Sequence, residues 1–153
     1  MDPAACRNLA ITKAVRDRYD GQRRNPWDEV ECGHHYARAL SSWAILTALS
    51  GYRYSAPDAR LAFHPRLAAA DFRCFFTAGT GWGTYRQKLG RTEATAAIEL
   101  LYGRLVLKEL GVESGLSSTS QVAAAVNGRD VAARSTYGNR DRAETWIVSL
   151  IMP

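Results

Sequence analysis

Cysteine is scarce in this chain: three in 153 residues, at positions 6, 32 and 74. An odd, widely spaced set with no Cys-x-x-Cys pair excludes a zinc ribbon and offers no disulfide framework. Buried free thiols are their ordinary role. Long apolar runs are missing too, since nothing approaches the ~18 residues that a membrane span requires. Arg7, Lys13, Arg16, Asp17, Arg18 and Asp20 interrupt the first twenty residues, so no signal-peptide core lies there and a cytoplasmic location is expected. There is no internal repeat and no low-complexity tract. Clustered positive charge is also wanting. The formal net charge is +5 and the isoelectric point about 9.4, yet the bases come as short pairs such as Arg23-Arg24 and Arg140/Arg142 with acids beside them. A nucleic-acid face gathers its Lys and Arg along one element, so no nucleic-acid partner is expected.

What is present fits an ordinary globular domain: 46% hydrophobic and 23% charged residues, with a mean hydropathy of −0.26. A chain of this length closes on about one core. Asp2 and Pro3 open a helix that runs to about residue 20, where Asp20-Gly21 stops it. A second helix is predicted over about 34–50, ended by Gly51, with apolar residues over more than one face. Beyond Gly51 the period shortens. Strand-like runs at 60–63, 72–77 and 84–88 are punctuated by Pro57, Pro65 and the glycines 79, 81 and 83. Two hairpins are predicted further on, one at Gly103-Arg104 joining 98–102 to 105–110, one at Asn127-Gly128 joining 122–126 to 131–134. A last strand covers 145–151. Helices followed by strands read as α+β rather than alternating βαβ.

The chemistry concentrates in "NPWDEVECGHHYAR", residues 25–38. Arg38 lies four residues beyond His34, on one face of the second helix, while Glu29 precedes that helix on a loop. A loop carboxylate and a helix guanidinium can hold the hydroxyls of a sugar, or simply fasten loop to helix as an ion pair. Glu31, Cys32, His34 and His35 are all metal-ligand types. However, consecutive histidines point about 100° apart on a helix, no second ligand cluster follows, and His64 is isolated beside Pro65. No metal site is expected. Cys32 with His35 lacks a local nucleophile signature and a third orienting group. Asp28, Glu29 and Glu31 share one loop, whereas the reacting carboxylates of a retaining glycosidase stand on opposite sides of the bond. Trp82, between Gly81 and Gly83, either packs inward at a tight strand entry or offers a stacking face to a sugar ring.

The string "RRNPWDEVECGHHYARALSSWAILTALSGYRY" and the later "DFRCFFTAGTGWGTYRQ" resemble the C-terminal part of the catalytic domain of glycoside hydrolase family 116, the non-lysosomal glucosylceramidase and β-glucosidase type. The resemblance covers about residues 15–54 and weakens beyond Leu89. It implies a parent (α/α)6 barrel and retaining hydrolysis of β-glucosides by a glutamate nucleophile and an aspartate acid/base, both upstream of this segment. Glu29 and Arg38 match positions that hold sugar hydroxyls in the −1 subsite, and His35 is a further possible contact. Asp28 stands where relatives carry asparagine, and His34 where they carry other polar residues.

The resulting expectation is an α+β chain in two parts. Residues 1–54 form a helical hairpin, a piece of an (α/α)6 barrel, and residues 55–153 an antiparallel β-rich tail. In function it is the C-terminal fragment of a retaining β-glycosidase that contributes the substrate-binding Glu29 and Arg38, with His35 and Trp82 as possible additions. No catalytic residue and no cofactor is assigned, and whether the chain itself is an enzyme is left open. Its partners would be a β-glucoside and the missing N-terminal part of the enzyme, or a second copy through exposed apolar helix faces. The alternative is a stand-alone carbohydrate-binding or interaction module without hydrolytic activity.

Overall fold

A computed structural model describes residues 3–26, 39–113, 121–140 and 143–151 of the chain. These fall into two compact units, Met1–Leu49 and Ser50–Pro153.

The first unit is helical. Helix α1, Pro3–Arg16, passes into a single 3-10 turn at Asp17–Tyr19. Lys13 Nζ pairs with Asp17 Oδ2 at 2.6 Å across its last turn. Asp20 then closes the stop, its carboxylate accepting from the Gln22 and Arg23 amides at 2.9 and 2.8 Å. Those backbone bonds, Arg23's foremost, hold its carboxyl below the usual range. Helix α2, Ala39–Ser50, is largely apolar in sequence and meets its Gly51 stop as expected.

The second unit is built of strands: β1 Arg53–Ser55, β2 Arg60–Phe63, β3 Asp71–Ala78, β4 Gly81–Leu89, β5 Ala94–Gly103, β6 Glu109–Glu113, β7 Ala124–Val126, β8 Arg129–Arg140 and β9 Ala143–Ile151. Six make one sheet in the order β1-β2-β6-β9-β8-β7, and β3-β4-β5 make a second, antiparallel sheet. Strands β2 and β6 run parallel. Parallel neighbours need a long crossover between them, and here the crossover is the whole three-stranded sheet. It comes back over the larger sheet and covers β2. The contact is aromatic: the Phe63 and Tyr85 rings stack with centroids 3.8 Å apart and planes 6° from parallel. Phe76 meets Phe63 edge-on at 5.9 Å, and Tyr52 lies tilted against it at 5.5 Å.

Alternation along β4 explains which face packs. Gly81, Gly83, Tyr85 and Gln87 are buried, while Trp82, Arg86 and Lys88 are exposed. The one buried polar side chain of that strand is satisfied internally. Tyr85 Oη donates to Gln87 Oε1 at 2.7 Å, and Gln87 Nε2 donates to the Ala69 carbonyl at 2.7 Å. Burial, together with the neighbouring Cys74 and Glu113, pushes the Tyr85 phenol far up, and burial pushes the Cys74 thiol up to about 11.

Two expectations are corrected. The α+β architecture with an N-terminal helical hairpin, a piece of an (α/α)6 barrel, does not hold. Strand outweighs helix more than twofold, the described residues contain two helices, and these form no barrel hairpin. The physical reason is burial. A hairpin needs a shared apolar seam, but from Cys6 to Arg16 only Leu9 and Thr12 of α1 are even partly covered, and Trp43 of α2 is exposed. Every buried side chain among the described residues lies between Ser50 and Gln87. The hairpin expected at Gly103-Arg104 is also absent, because β5 pairs with β4 and β6 lies in the other sheet. Gly103, at φ +79°, instead ends β5 against the β3–β4 turn. There the Arg104 amide donates to the Thr80 carbonyl at 3.1 Å and Thr80 Oγ1 donates to the Arg104 carbonyl at 2.7 Å. The Asn127-Gly128 hairpin does form. It joins β7 to β8 with φ of +52° and +75° at its two turn residues, the primed geometry that matches strand twist.

Candidate functional site

Glu29, Arg38 and His35 lie outside the described residues, as do Glu31, Cys32 and His34. Trp82 is described, and it faces outward. Tyr85 is committed to the core, so period-two alternation sends residues 81 and 83 inward and residue 82 out. The inward-packing alternative for Trp82 is thereby corrected: the flanking glycines occupy the buried positions, and the indole stands on the opposite face, 40% exposed.

It does not stand alone. Phe75 on β3 lies with its ring 5.8 Å from that of Trp82, tilted by 46°. Tyr102 on β5 lies on the other side at 6.3 Å, only 23° from parallel. Tyr102 is 68% exposed. The three rings thus form a row running across all three strands, on the side of the small sheet away from Phe63. A register shift between Trp82 and Gly83 sets the spacing: Trp82 pairs with Tyr102 and Gly83 with Leu100, so Leu101 is the extra residue of a β-bulge. The bulge rests on a close approach. A Cβ on Gly83 would collide with the Glu99 carbonyl oxygen and come within 3.0 Å of Leu100 Cα.

Polar groups adjoin the rings on the same face. Thr77 is directly opposite Trp82, and Thr84 directly opposite Phe75. Thr84 Oγ1 donates to Glu99 Oε2 at 3.4 Å, and Arg86 Nη2 lies 3.9 Å from that same oxygen. Farther along, Arg73 sits opposite Arg86 and Asp71 opposite Lys88. Aromatic faces with hydroxyls and a carboxylate–guanidinium pair beside them can stack on and hydrogen-bond to a polyol.

Phe75, Thr84 and Arg86 lie within the 71–87 string with no local sign of a shared face, and Tyr102 and Glu99 belong to no motif. The facing of Trp82 follows from the burial of Tyr85 in the same strand, and its neighbours depend on long-range pairing and a bulge. Among the described residues, no three His, Cys, Asp or Glu side chains come together as a metal site, and no helix is long and apolar enough to cross a membrane. Compared with known proteins, the chain matches no family model and no curated protein. Neither comparison supports the resemblance to family 116, which rests on the two strings quoted above.

Proposed function

We propose that this chain recognises β-glucosides without cleaving them, as the sugar-holding part of a retaining β-glycosidase of the family 116 type. The observation that carries the reading is the string Asn25-Pro26-x-x-Glu29-x-Glu31-Cys32-Gly33-x-His35-Tyr36-Ala37-Arg38. In it Glu29 accepts from sugar hydroxyls and Arg38 donates in a fixed fork, each orienting the other. Retaining hydrolysis needs a nucleophile and an acid/base on opposite sides of the scissile bond. Asp28, Glu29 and Glu31 crowd into four positions and cannot divide those roles between them. The chain accordingly binds and orients but does not split the reaction into two covalent steps.

The test pairs an aryl β-glucoside turnover assay with saturation-transfer NMR on methyl β-glucoside. Binding without turnover is expected, lost in Glu29→Gln and weakened in Arg38→Lys. Turnover by the wild type that vanishes in Glu29→Gln would overturn the reading, because Glu29 would then take part in the chemistry.

A second reading, a stand-alone carbohydrate-binding module, draws its support from a different place: the exposed Trp82 on the outer face of the small sheet. It assigns the working surface to strands β3–β5 instead of residues 25–38.

A further inference from the structure

We infer that the row Phe75–Trp82–Tyr102 is a platform for an extended, uncharged β-linked glucan chain, lying across strands β3, β4 and β5. The inference rests on the second, carbohydrate-module reading and names its ligand.

Three features select that ligand. The first is shape. Trp82 and Tyr102 present near-parallel faces at successive positions, 6.3 Å between centroids, with Phe75 continuing the row at 5.8 Å. Trp82 and Tyr102 are exposed and Phe75, tilted by 46°, is half-buried at the end of the row, an arrangement that suits a ligand with repeated flat apolar faces in a line. In β-linked glucose the hydroxyls are equatorial, so each ring keeps two C–H faces free for stacking on an aromatic side chain. An α1,4-linked chain curves at each linkage, so its ring faces do not line up along a straight row as those of a β1,4-linked chain do.

The second is the polar surround. The residues directly across from Trp82 and Phe75 are threonines 77 and 84, which offer hydroxyls both as donors and acceptors. Glu99 is already engaged by Thr84 and Arg86 on one oxygen, which leaves its other oxygen directed by that pairing. Equatorial sugar hydroxyls radiating from a stacked ring meet groups of this kind edge-on.

The third is charge. Single-stranded nucleic acid also stacks on aromatic rows, but it is drawn in by a positive groove that tracks its backbone. On this face Arg73, Arg86 and Lys88 are accompanied by Asp71 and Glu99, a surplus of one positive charge. Arg86 is within 3.9 Å of Glu99, and Lys88 is directly opposite Asp71. Arg86 lies four residues along β4 from Trp82, about 13 Å at the strand rise, and Arg73 is two residues from Phe75 on the same face, so the bases gather at the Phe75 end and do not track the whole row.

Tryptophan-fluorescence and calorimetric titrations of the full chain test the assignment, with cellohexaose and laminarihexaose as probes and maltohexaose as the α-linked control. Wild-type protein should bind at least one β-linked hexaose and not maltohexaose. Trp82→Ala should weaken that binding roughly tenfold, the scale of one lost aromatic stack. Trp82→Phe, which keeps a ring, should recover most of it. Unchanged near-ultraviolet circular dichroism outside the indole signal confirms that the variants fold. Hexaose binding that survives Trp82→Ala and is lost only in Glu29→Gln would assign it to residues 25–38, which separates this platform from that reading. Four results would overturn the inference: no β-glucan binding, binding that depends on Glu29 and not on Trp82, salt-sensitive capture of an oligo-dT strand that competes with the hexaose, or a dimer that Trp82→Ala dissolves.

Discussion

Among single residues, Tyr85 does the most for the second unit. Its ring is fully buried against Phe63, contributing on the order of 1.5–3 kcal/mol by area alone. Its hydroxyl lies in the same apolar interior and is tolerated because Gln87 accepts from it. Tyr85→Phe keeps the stack and deletes the donor, so the buried Gln87 oxygen loses a partner that water cannot replace. A loss of about 1–3 kcal/mol is expected on these grounds, read as a lowered urea midpoint with an unchanged slope. An unchanged midpoint would mean that the Gln87 amide is served by something else. Trp82, three positions away in the same strand, makes the opposite case. Truncating it leaves the core intact but removes two ring contacts on the outer face, worth about 0.5–1.5 kcal/mol apiece, so the urea midpoint should fall less than in a core truncation.

At the scale of elements, the β4–β5 pair decides whether the ring row exists. The strands are in register from Leu89↔Ala94 to Gly83↔Leu100, and then slip by one residue at Leu101 before Trp82 meets Tyr102. Without the slip, Leu101 would stand opposite Trp82, and Tyr102 would point to the other face. Gly83 is what permits the approach, since its missing side chain leaves room for the Glu99 carbonyl. Gly83→Ala should therefore cost about 1–3 kcal/mol as an overpacking change in a strand pair that cannot part locally. It should also disturb the Trp82–Tyr102 geometry, visible as a changed near-ultraviolet circular dichroism band. Full stability with an unaltered band would show that the bulge does not depend on this glycine.

For the whole molecule, the pH dependence of stability follows from Glu113 at the end of β6. Partial burial raises its pKa above the usual carboxylate value, with Arg66 pulling the other way. A raised native pKa means that the folded chain holds this proton over a pH range in which the unfolded chain has released it. Stability from this group is then full below the unfolded pKa and declines as pH rises through the folded one. Glu113→Gln removes the decline, so the variant should gain on the wild type between mildly acidic and neutral pH. Urea midpoints measured across that range check it, and a difference independent of pH would overturn the assignment. The division of labour between sequence and structure is also clearest at this scale. Local signals were legible where one short segment carries all the information. Pro3 opened a helix, Gly51 closed another and Asn127-Gly128 turned a hairpin. What local signals could not decide was partnership. Gly103-Arg104 looks like a hairpin turn, yet β5 gains more by lying along β4 than by folding back on β6. The second helix is apolar over more than one face and looks ready to pair, yet burial went to Leu61, Phe63, Phe76 and Tyr85. Strand pairing and the choice of core are settled by contacts between residues far apart in the chain, whose free energy no window of sequence contains. The parallel β2–β6 pair and the aromatic row across three strands are products of that tertiary choice, and only the folded chain brings their residues together.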